Sequence, residues 1–352
     1  MIELTSILTQ AVEQKGSDIY ILPGSPVLIK VAGKMVPVTE ERVLPPDSEH
    51  FLQEAYQLAL NRDMDRLLTT GDDDFSFSLP RMGRFRCNAY RQRGTLASVL
   101  RTVPFGMPDP DKLGIPPAVM NLYSTKRGMI LVTGPAGSGK STTLACMIDR
   151  INVENFDHII TIEDPIEYLH NHKKSIVSQR EILHDTESYA QALRAALRQA
   201  PDCILLGEMR DFETIQTALT AAETGHLLLS TLHTVGASKT IDRVIDVFPA
   251  NQQQQVRIQL SMVLQAVISQ QLVPAIGGGM VAAFEVMIVN SAIQNMIREG
   301  KVHQMDNVIY AGASQGMITM DADLQRLFAA KRITRDDALL FAVNPDILAK
   351  KI

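Results

Sequence analysis

The sequence predicts an α/β protein in two parts, a small α+β domain followed by a larger domain built on a parallel sheet. Three observations predict it: short alternating runs up to residue 103, a Pro-rich segment at 104–117, and apolar runs of four to six residues alternating with helical patterns thereafter. Alternating runs fit strands with one buried face, and continuous apolar runs fit parallel strands covered on both faces. We therefore expect domains at 1–103 and 118–352, joined by a linker.

The first domain is expected to begin with an amphipathic helix. Its apolar face consists of Leu4, Ile7, Leu8, Ala11 and Val12. The runs that predict strands are Asp18–Leu22, Val27–Val31, Phe75–Leu79 and Phe85–Tyr90, and Ser48–Leu68 predicts one helix. No basic region precedes the first apolar residues, so the start does not resemble a signal peptide.

The second domain is expected to contain strands at Met129–Thr133, His158–Ile162, Cys203–Leu206, Leu227–Thr231 and Val281–Val289. The last residues, from about 291 to 352, have the pattern of short helices. No apolar stretch reaches the roughly 18 residues of a transmembrane helix. We therefore expect no transmembrane segment.

The charge and cysteine content of the chain argue against several classes of function. The net charge of −5 over 352 residues gives no overall attraction for nucleic acid, so we expect no direct nucleic-acid partner. The three cysteines, Cys87, Cys146 and Cys203, lie far apart and suggest neither disulfides nor a thiolate zinc site. Their pattern favours a reducing compartment, which is the cytoplasm.

One motif has the spacing of a phosphate-binding loop. It consists of Gly134, Pro135, Ala136, Gly137, Ser138, Gly139, Lys140, Ser141 and Thr142. The motif follows an apolar strand and opens a helical stretch, which is the context that its chemistry requires. Lys140 is expected to reach the β- and γ-phosphates of ATP, Ser141 to ligate Mg²⁺, and Thr142 to hold another phosphate oxygen. A chance Gly-rich turn is the alternative.

Two carboxylates follow later strands. Glu163 stands at the end of His158–Ile162, within the acidic run 163–167, and Glu208 follows Cys203–Leu206. Parallel sheets place ligands at the carboxyl ends of their strands. We expect Glu208 to orient the water that attacks the phosphate and Glu163 to support the metal or the water. A solvated acidic loop is the other reading of Glu163, and a helix-capping acid fits Asp211 better than Glu208.

Histidines and arginines supply the remaining candidates. His226 and His233 stand at the two ends of one strand, where a lone histidine is more often structural than a ligand. In the first domain Arg86 and Arg101 lie on neighbouring strand-like segments with one cationic face. They are either solvated surface charges or arginines that neutralise charge on a phosphate across a domain or subunit boundary.

Four separated motifs together resemble one family. Residues 134–142, 161–167, 204–211 and 220–234 are similar to the P-loop, Asp box, Walker B segment and His box of the secretion-superfamily hexameric ATPases. Residues 292–299 further resemble a motif of the PilT-type, twitching-motility retraction ATPases, although Gln294 stands where arginine is usual. The resemblance implies a PAS-like N-terminal domain, a RecA-like P-loop motor domain and a homohexamer, with His226 and His233 sensing the γ-phosphate.

The family further implies a cytoplasmic ATPase, peripheral to the inner membrane, that powers pilus retraction. Its expected partners are a membrane platform protein of the pilus and possibly the assembly ATPase or a paralogous retraction ATPase. Alternatives are an accessory retraction paralogue, an assembly or secretion ATPase with the same chemistry, or a nucleotide-binding regulator with little turnover. Ile293, Met296 and Ile297 share one helical face, which is either a coupling surface for the partner or a core stripe.

Overall fold

The computed structural model describes residues 3–103 and 106–352. The chain divides into two compact units, Met1–Gly106 and Met107–Ile352. The division lies inside the segment predicted as a linker, whose first two residues, Pro104 and Phe105, fall outside the described residues. The rest of that segment contains a short helix, Pro110–Leu113 (α4), and the start of another, Pro117–Met120 (α5).

Within its described residues, the first unit has three helices, α1 (Leu4–Glu13), α2 (Pro45–Leu58) and α3 (Asp65–Thr70). Helix α1 buries Leu4, Ile7, Leu8 and Ala11, as its periodicity predicts, and leaves Val12 partly buried. The single helix predicted over Ser48–Leu68 is wrong, because the chain breaks between α2 and α3. Leu60 and Asn61 adopt the left-handed region with φ of 58° and 56°, which ends a right-handed helix.

Six strands form the sheet of the first unit: β1 (Asp18–Ile21), β2 (Leu28–Val31), β3 (Lys34–Pro37), β4 (Asp72–Leu79), β5 (Gly83–Gln92) and β6 (Thr95–Val103). Their order is β3-β2-β1-β6-β5-β4, and every pair is antiparallel. Four of these strands were predicted with bounds, β6 was predicted only as the strand-like segment of Arg101, and β3 was not predicted. Strand β3 is short and mostly exposed, so it lacks a buried pattern.

The second unit contains seven strands: β7 (Gly128–Thr133), β8 (His158–Glu163), β9 (Ile176–Glu181), β10 (Cys203–Leu206), β11 (Leu227–Leu232), β12 (Leu264–Pro274) and β13 (Met280–Ile288). Its longer helices are α6 (Lys140–Glu154), α7 (Tyr189–Ala196), α8 (Phe212–Glu223), α9 (Ala237–Asp246), α10 (Ala250–Val263), α11 (Ser291–Glu299) and α13 (Met320–Ala329). The shorter ones are α4, α5, α12 (Met305–Ala311), α14 (Arg335–Leu340) and α15 (Pro345–Leu348). Single 3₁₀ turns lie at Asn121–Ser124, Val302–Gln304 and Gly312–Gln315.

The sheet of the second unit has the order β13-β12-β7-β11-β10-β8-β9. All neighbours are parallel except β12 and β13. Every residue of β7, β10 and β11 is buried, because apolar side chains on both faces pack under helices. The predicted parallel α/β architecture is therefore confirmed for this unit.

The strand register aligns the carboxyl ends that bear the predicted polar residues. Leu206 of β10 lies opposite Ile162 of β8 and Ser230 of β11. The backbone N–H of Gly207 donates to the carbonyl oxygen of Ile162 at 2.8 Å. The segments that follow β8, β10 and β11 consequently emerge at the same edge of the sheet.

Helix α11 packs with its apolar face inward. Ile293 and Ile297 are completely buried in the core that also contains residues of α9 and α10, and Met296 is partly buried against it. This packing supports the core-stripe reading of these residues. Ala292, Asn295 and Glu299 are exposed on the outer face of the helix. Within residues 3–103 and 106–352, no helix combines the length and apolar character that crossing a bilayer requires.

Candidate active site

The phosphate-binding loop connects the buried strand β7 to helix α6. Gly134 has a φ of 144°, and a Cβ at this position would lie 2.1 Å from the carbonyl oxygen of Gln270. Gly139 precedes the helix with a φ of 86°, a left-handed conformation that side chains with a Cβ disfavour. The loop thus requires glycine at both positions, and the helix N-terminus behind it presents the backbone N–H groups that bind phosphates.

Lys140 is buried at the start of α6. Its Nζ donates to the carbonyl oxygens of Gly134 and Pro135, each at 2.9 Å. Burial lowers the pKa of the ammonium group, and the charges of Glu208 and Glu167 oppose that shift. A cation held at the mouth of a glycine-rich loop is the group that contacts β- and γ-phosphates in this type of site.

The loop also contains a buried polar atom that suits a phosphate ligand. Ser138 is 2% exposed, and its Oγ has no hydrogen-bond partner within the part of the chain that the structure describes. A buried hydroxyl without a partner costs about 1–3 kcal/mol. A phosphate oxygen of a bound nucleotide would satisfy it, so the residues present fit a polyphosphate group.

Gln270 of β12 holds the loop from behind. Its Nε2 donates to the carbonyl oxygen of Ser138 at 2.6 Å, and its Oε1 accepts a hydrogen bond from Thr143 Oγ1 at 2.7 Å. The side chain is almost fully buried. The sequence analysis missed this residue, although a glutamine inside an apolar strand is a signal for a buried polar contact.

Glu163 is the last residue of β8. Its Oε1 accepts hydrogen bonds from Thr161 Oγ1 at 2.6 Å and from Gln179 Nε2 at 3.3 Å. Burial raises the pKa of Glu163 to about 7, although these two hydrogen bonds favour the charged form. A carboxyl group with a pKa near the operating pH is suited to proton exchange.

Glu208 lies two residues beyond the end of β10, and its side chain is only 12% exposed. One carboxylate oxygen forms an ion pair with Arg210, and the other lies 3.3 Å from His233 Nε2. Hydrogen bonding to Glu208 raises the pKa of the Arg210 guanidinium. The structure therefore brings His233 to Glu208, and two side chains fix the orientation of this carboxylate.

His226 is not brought to this site. It precedes β11 at the opposite edge of the sheet, where its backbone oxygen accepts from Gly128 N and its Nδ1 lies 3.0 Å from the carbonyl oxygen of Ala221. A six-residue strand separates it from His233, which corresponds to roughly 20 Å at about 3.3 Å per residue. Within one chain, the expected contact of His226 with the γ-phosphate is therefore not supported.

Arg86 and Arg101 belong to the first unit. They are direct partners across β5 and β6. Arg101 Nε donates to Asp18 Oδ1 at 2.9 Å, and Arg86 Nη2 lies 3.8 Å from Asp74 Oδ1. Burial would raise the pKa of Asp18, but hydrogen bonds from Ser17 and Arg101 hold it below its usual range. Both arginines retain substantial exposure, 40% for Arg86 and 67% for Arg101.

Two cavities adjoin the start of α6. The first has a volume of about 390 Å³, and its lining includes Lys140, Ser141, Thr142, Glu163, Glu208 and His233. The second has a volume of about 530 Å³, and its lining includes Leu113, Ile115, Met280, Phe284, Arg326 and Arg332. Gly139 and Thr142 line both cavities. The two cavities therefore meet at the phosphate-binding loop.

Comparisons with known proteins identify the family of this chain. Residues 1–314 match the family model described as type II/IV secretion system protein. A type IV pilus retraction ATPase PilT of Pseudomonas aeruginosa is 46% identical over 98% of this chain and 99% of its own length. A type IV pilus ATPase PilU of the same organism is 40% identical over 97% of this chain and 88% of its own length.

A solved structure extends the likeness to the fold. The crystal structure of a pilus retraction motor PilT with bound ADP has a TM-score of 0.91 and 47% identity, covering 99% of this chain and all of that one. The RecA-like motor and the preceding N-terminal domain expected from the motifs are confirmed by this match. The chain belongs to the type II/IV secretion system protein family and, within it, to the PilT-type retraction ATPases.

Proposed function

We propose that this chain hydrolyses ATP in the first cavity and that hydrolysis powers retraction of a type IV pilus. One observation carries the proposal: Lys140 and the two carboxylates of Glu163 and Glu208 line a single cavity, although they follow three different strands. A phosphate-binding cation together with acids that can orient water is the arrangement that phosphoryl transfer to water requires.

The residues at the start of α6 would bind the nucleotide. Lys140 would contact the β- and γ-phosphates, Ser141 would ligate Mg²⁺, and Thr142 would hold a further phosphate oxygen. Mg²⁺, when bound, neutralises charge that develops on the phosphate oxygens. Gln270 keeps the loop in the required conformation through its bonds to Ser138 and Thr143.

The two carboxylates would have different roles in hydrolysis. Glu208, whose two oxygens are held by Arg210 and His233, is suited to orient the attacking water and the water shell of the metal. Glu163 is suited to exchange a proton, because burial places its pKa at about 7. His233, which follows β11, would sense the γ-phosphate and pass its state to Glu208 after β10 through their contact.

The second cavity would receive the base and ribose of ATP. It shares Gly139 and Thr142 with the first cavity, and its volume of about 530 Å³ is in the range of small-molecule sites. Apolar residues such as Leu113 and Ile115 can cover the face of a purine, and Arg326 and Arg332 can meet its polar edge or the ribose. An ADP-bound relative supports nucleotide binding by this fold.

The assembly is proposed to be a homohexamer at the cytoplasmic face of the inner membrane, bound to the platform protein of the pilus and possibly to the assembly ATPase or a paralogous retraction ATPase. Closed rings are the usual product of head-to-tail interfaces. Arg86 and Arg101 are proposed to neutralise charge on the nucleotide, because exposed guanidinium groups can serve as arginine fingers.

The test of the enzyme is steady-state phosphate release from ATP with Mg²⁺. Lys140→Ala should abolish tight nucleotide binding and turnover, and Lys239→Ala, an exposed lysine of α9, should leave both unchanged. Turnover that persists in Lys140→Ala would exclude this site. The role in pilus retraction is tested by deleting the gene. If the protein is a retraction motor, the deletion should give hyperpiliated cells that do not twitch, and normal twitching would exclude the role.

A further inference from the structure

Gln179 contacts the active site from an unexpected direction. It lies on β9, the edge strand of the sheet, directly opposite Thr161 of β8. Its Nε2 donates to Glu163 Oε1 at 3.3 Å and to the carbonyl oxygen of Tyr168 at 2.8 Å. Its Oε1 accepts from the backbone N–H of His170 at 2.8 Å. One amide group thus binds a candidate catalytic carboxylate and the backbone of the segment that follows it.

That segment, residues 164–172, is called the acidic loop here, and it reaches the phosphate-binding loop. Tyr168 Oη lies 2.9 Å from Thr142 Oγ1, and both side chains line the first cavity together with His170. The backbone on both sides of Leu169 is therefore fixed by Gln179, while the Tyr168 hydroxyl touches the helix that would hold the phosphates. Displacing the amide would move the carboxylate and the loop together.

We propose that Gln179 is a positioning residue for ATP hydrolysis, because its amide orients the Glu163 carboxylate and holds the acidic loop against Thr142 of the phosphate-binding loop. The inference rests on the proposed ATPase function and assigns the role to a side chain that does not touch the nucleotide itself. Glutamine suits the position because it offers a donor and an acceptor at one point. Glutamate would lose the donor, and leucine would lose both.

The role has a consequence for proton exchange. The hydrogen bonds from Thr161 and Gln179 favour the charged form of Glu163, so loss of the Gln179 donor raises its pKa further. Other charged or titratable groups around the cavity are Lys140, Asp164, Glu167, Tyr168, His170, Tyr189, Glu208, Arg210 and His233. A substitution at Gln179 changes none of these residues, but those between 164 and 170 belong to the acidic loop that Gln179 holds. A changed pH profile therefore reports on Glu163 together with this loop.

The experiment compares full-length wild type, Gln179→Leu and Gln179→Glu. We expect kcat for ATP hydrolysis to fall about 10–100-fold in Gln179→Leu, the scale of a small misplacement of a catalytic group. The KM for ATP and the affinity for ADP, which does not depend on turnover, should change less than about threefold, because the phosphate-binding loop keeps its own contacts. The acidic limb of the kcat profile should move to higher pH in both variants, and further in Gln179→Glu, where a second carboxylate faces Glu163.

The matched control is Ser178→Ala on the same strand, since its Oγ contacts His158 Nε2 at 3.1 Å, away from the acidic loop. It should keep the wild-type profile. Wild-type kcat in Gln179→Leu would overturn the proposal, and so would a lower kcat with an unchanged pH profile and a lowered melting temperature, which describe a merely structural residue. If Gln179→Leu does not fold, Gln179→Glu decides by the same two measurements. Absence of turnover in the wild type would overturn the ATPase proposal and this inference together, whereas wild-type turnover with an unchanged kcat in Gln179→Leu would overturn this inference alone.

Discussion

His233 Nε2 lies 3.3 Å from Glu208 Oε2, and this contact connects the segments that follow two neighbouring strands, β10 and β11. The carboxylate is nearly buried, whereas the histidine side chain is 54% exposed toward the cavity and solvent. A ligand that moves His233 therefore also moves the carboxylate that would orient water. If His233 senses phosphate as proposed, this contact is the route by which Glu208 would respond.

Glu208→Gln tests the water-orienting role. The amide keeps the shape of the side chain and can still bond His233, but it loses the charge that pairs with Arg210. Nucleotide binding should persist, and turnover should fall about 10²-fold or more, the scale of losing a general base. Nucleotide affinity and phosphate release measured on the same samples check this. Glu187→Gln, an exposed acid outside the cavity, is the control, and wild-type turnover in Glu208→Gln would contradict the role.

Glu163→Gln should stabilise the protein at alkaline pH while it removes activity. The folded state holds Glu163 at a pKa of about 7 against an ordinary value of 4.5, so the protonated form is favoured on folding. That contribution is complete below the ordinary pKa and is lost as the pH rises through about 7. The rise of the pKa from 4.5 to about 7 corresponds to at most about 3.4 kcal/mol. The variant cannot ionise and should keep its stability through this range.

The measurement is chemical denaturation of wild type and Glu163→Gln at pH 5 and pH 8. At pH 5, just above the ordinary pKa of 4.5, the variant should be more stable by less than about 1 kcal/mol, and the difference should grow by pH 8. The amide oxygen of the variant can still accept from Thr161 and Gln179. The hydrogen bond that the variant loses, from the backbone N–H of Glu167 to Glu163 Oε2, is long at 3.5 Å, so its loss should not mask the effect. A variant that is less stable than wild type at pH 8 would show that burial does not penalise this carboxylate.

The sequence predicted those residues of the candidate site whose chemistry follows from a local sequence pattern. A glycine-rich loop after a buried strand and single acids after later strands are local signals, and the parallel register then brings Glu163 and Glu208 together. The same register accounts for the position of His233. It also separates His226, because a residue before a strand and a residue after it emerge at opposite edges of a sheet.

The residues that support the site could not be predicted in this way. Gln179 and Gln270 act through strand neighbours that are distant in sequence, on β8 and beside the phosphate-binding loop respectively. Their roles depend on which strands pair, and neither β9, which carries Gln179, nor β12, which carries Gln270, was predicted as a strand. The break between α2 and α3 was likewise not predicted. The helical pattern continues through Leu60 and Asn61, and only their left-handed backbone conformation ends the helix.

A truncation separates nucleotide binding from turnover. The second unit begins at Met107, and its cavity for the proposed base and ribose includes Leu113 and Ile115. A fragment of residues 107–352 should bind ATP but hydrolyse it poorly, because it lacks the arginines of the first unit. A fragment that starts at Pro117 should bind more weakly, since it has lost one wall of that cavity. Full turnover by the longer fragment would contradict a role for the first unit, and equal affinity of the two fragments would contradict the base site.

Arg86→Ala and Arg101→Ala distinguish catalytic arginines from surface charge. Like charges that face each other across two strands are unfavourable, so each substitution also relieves a repulsion. The Arg86–Asp74 pair is exposed on both sides and contributes only about 0–1 kcal/mol, so Arg86→Ala should not unfold the protein. Asp18 is buried, so Arg101→Ala removes a hydrogen bond from a buried carboxylate and should lower stability more. If the arginines neutralise charge on the phosphates, turnover should fall at least about tenfold, well within the effect of an arginine finger. Turnover within twofold of wild type for both variants would identify them as surface charges.

Helix α11 permits a test that separates coupling from folding. Ile297 is completely buried, so Ile297→Ala should cost about 2–5 kcal/mol of stability through lost contacts and a cavity. Asn295 lies on the exposed face of the same helix, so Asn295→Ala should leave the melting temperature, the particle mass and ATP turnover near wild type. If this face binds the pilus machinery, Asn295→Ala or Glu299→Ala should nevertheless impair retraction in cells. Light scattering, turnover and twitching assays on the same variants distinguish coupling from folding. Normal twitching in both exposed variants would exclude the outer face as the coupling surface. A fully stable Ile297→Ala would contradict the core packing.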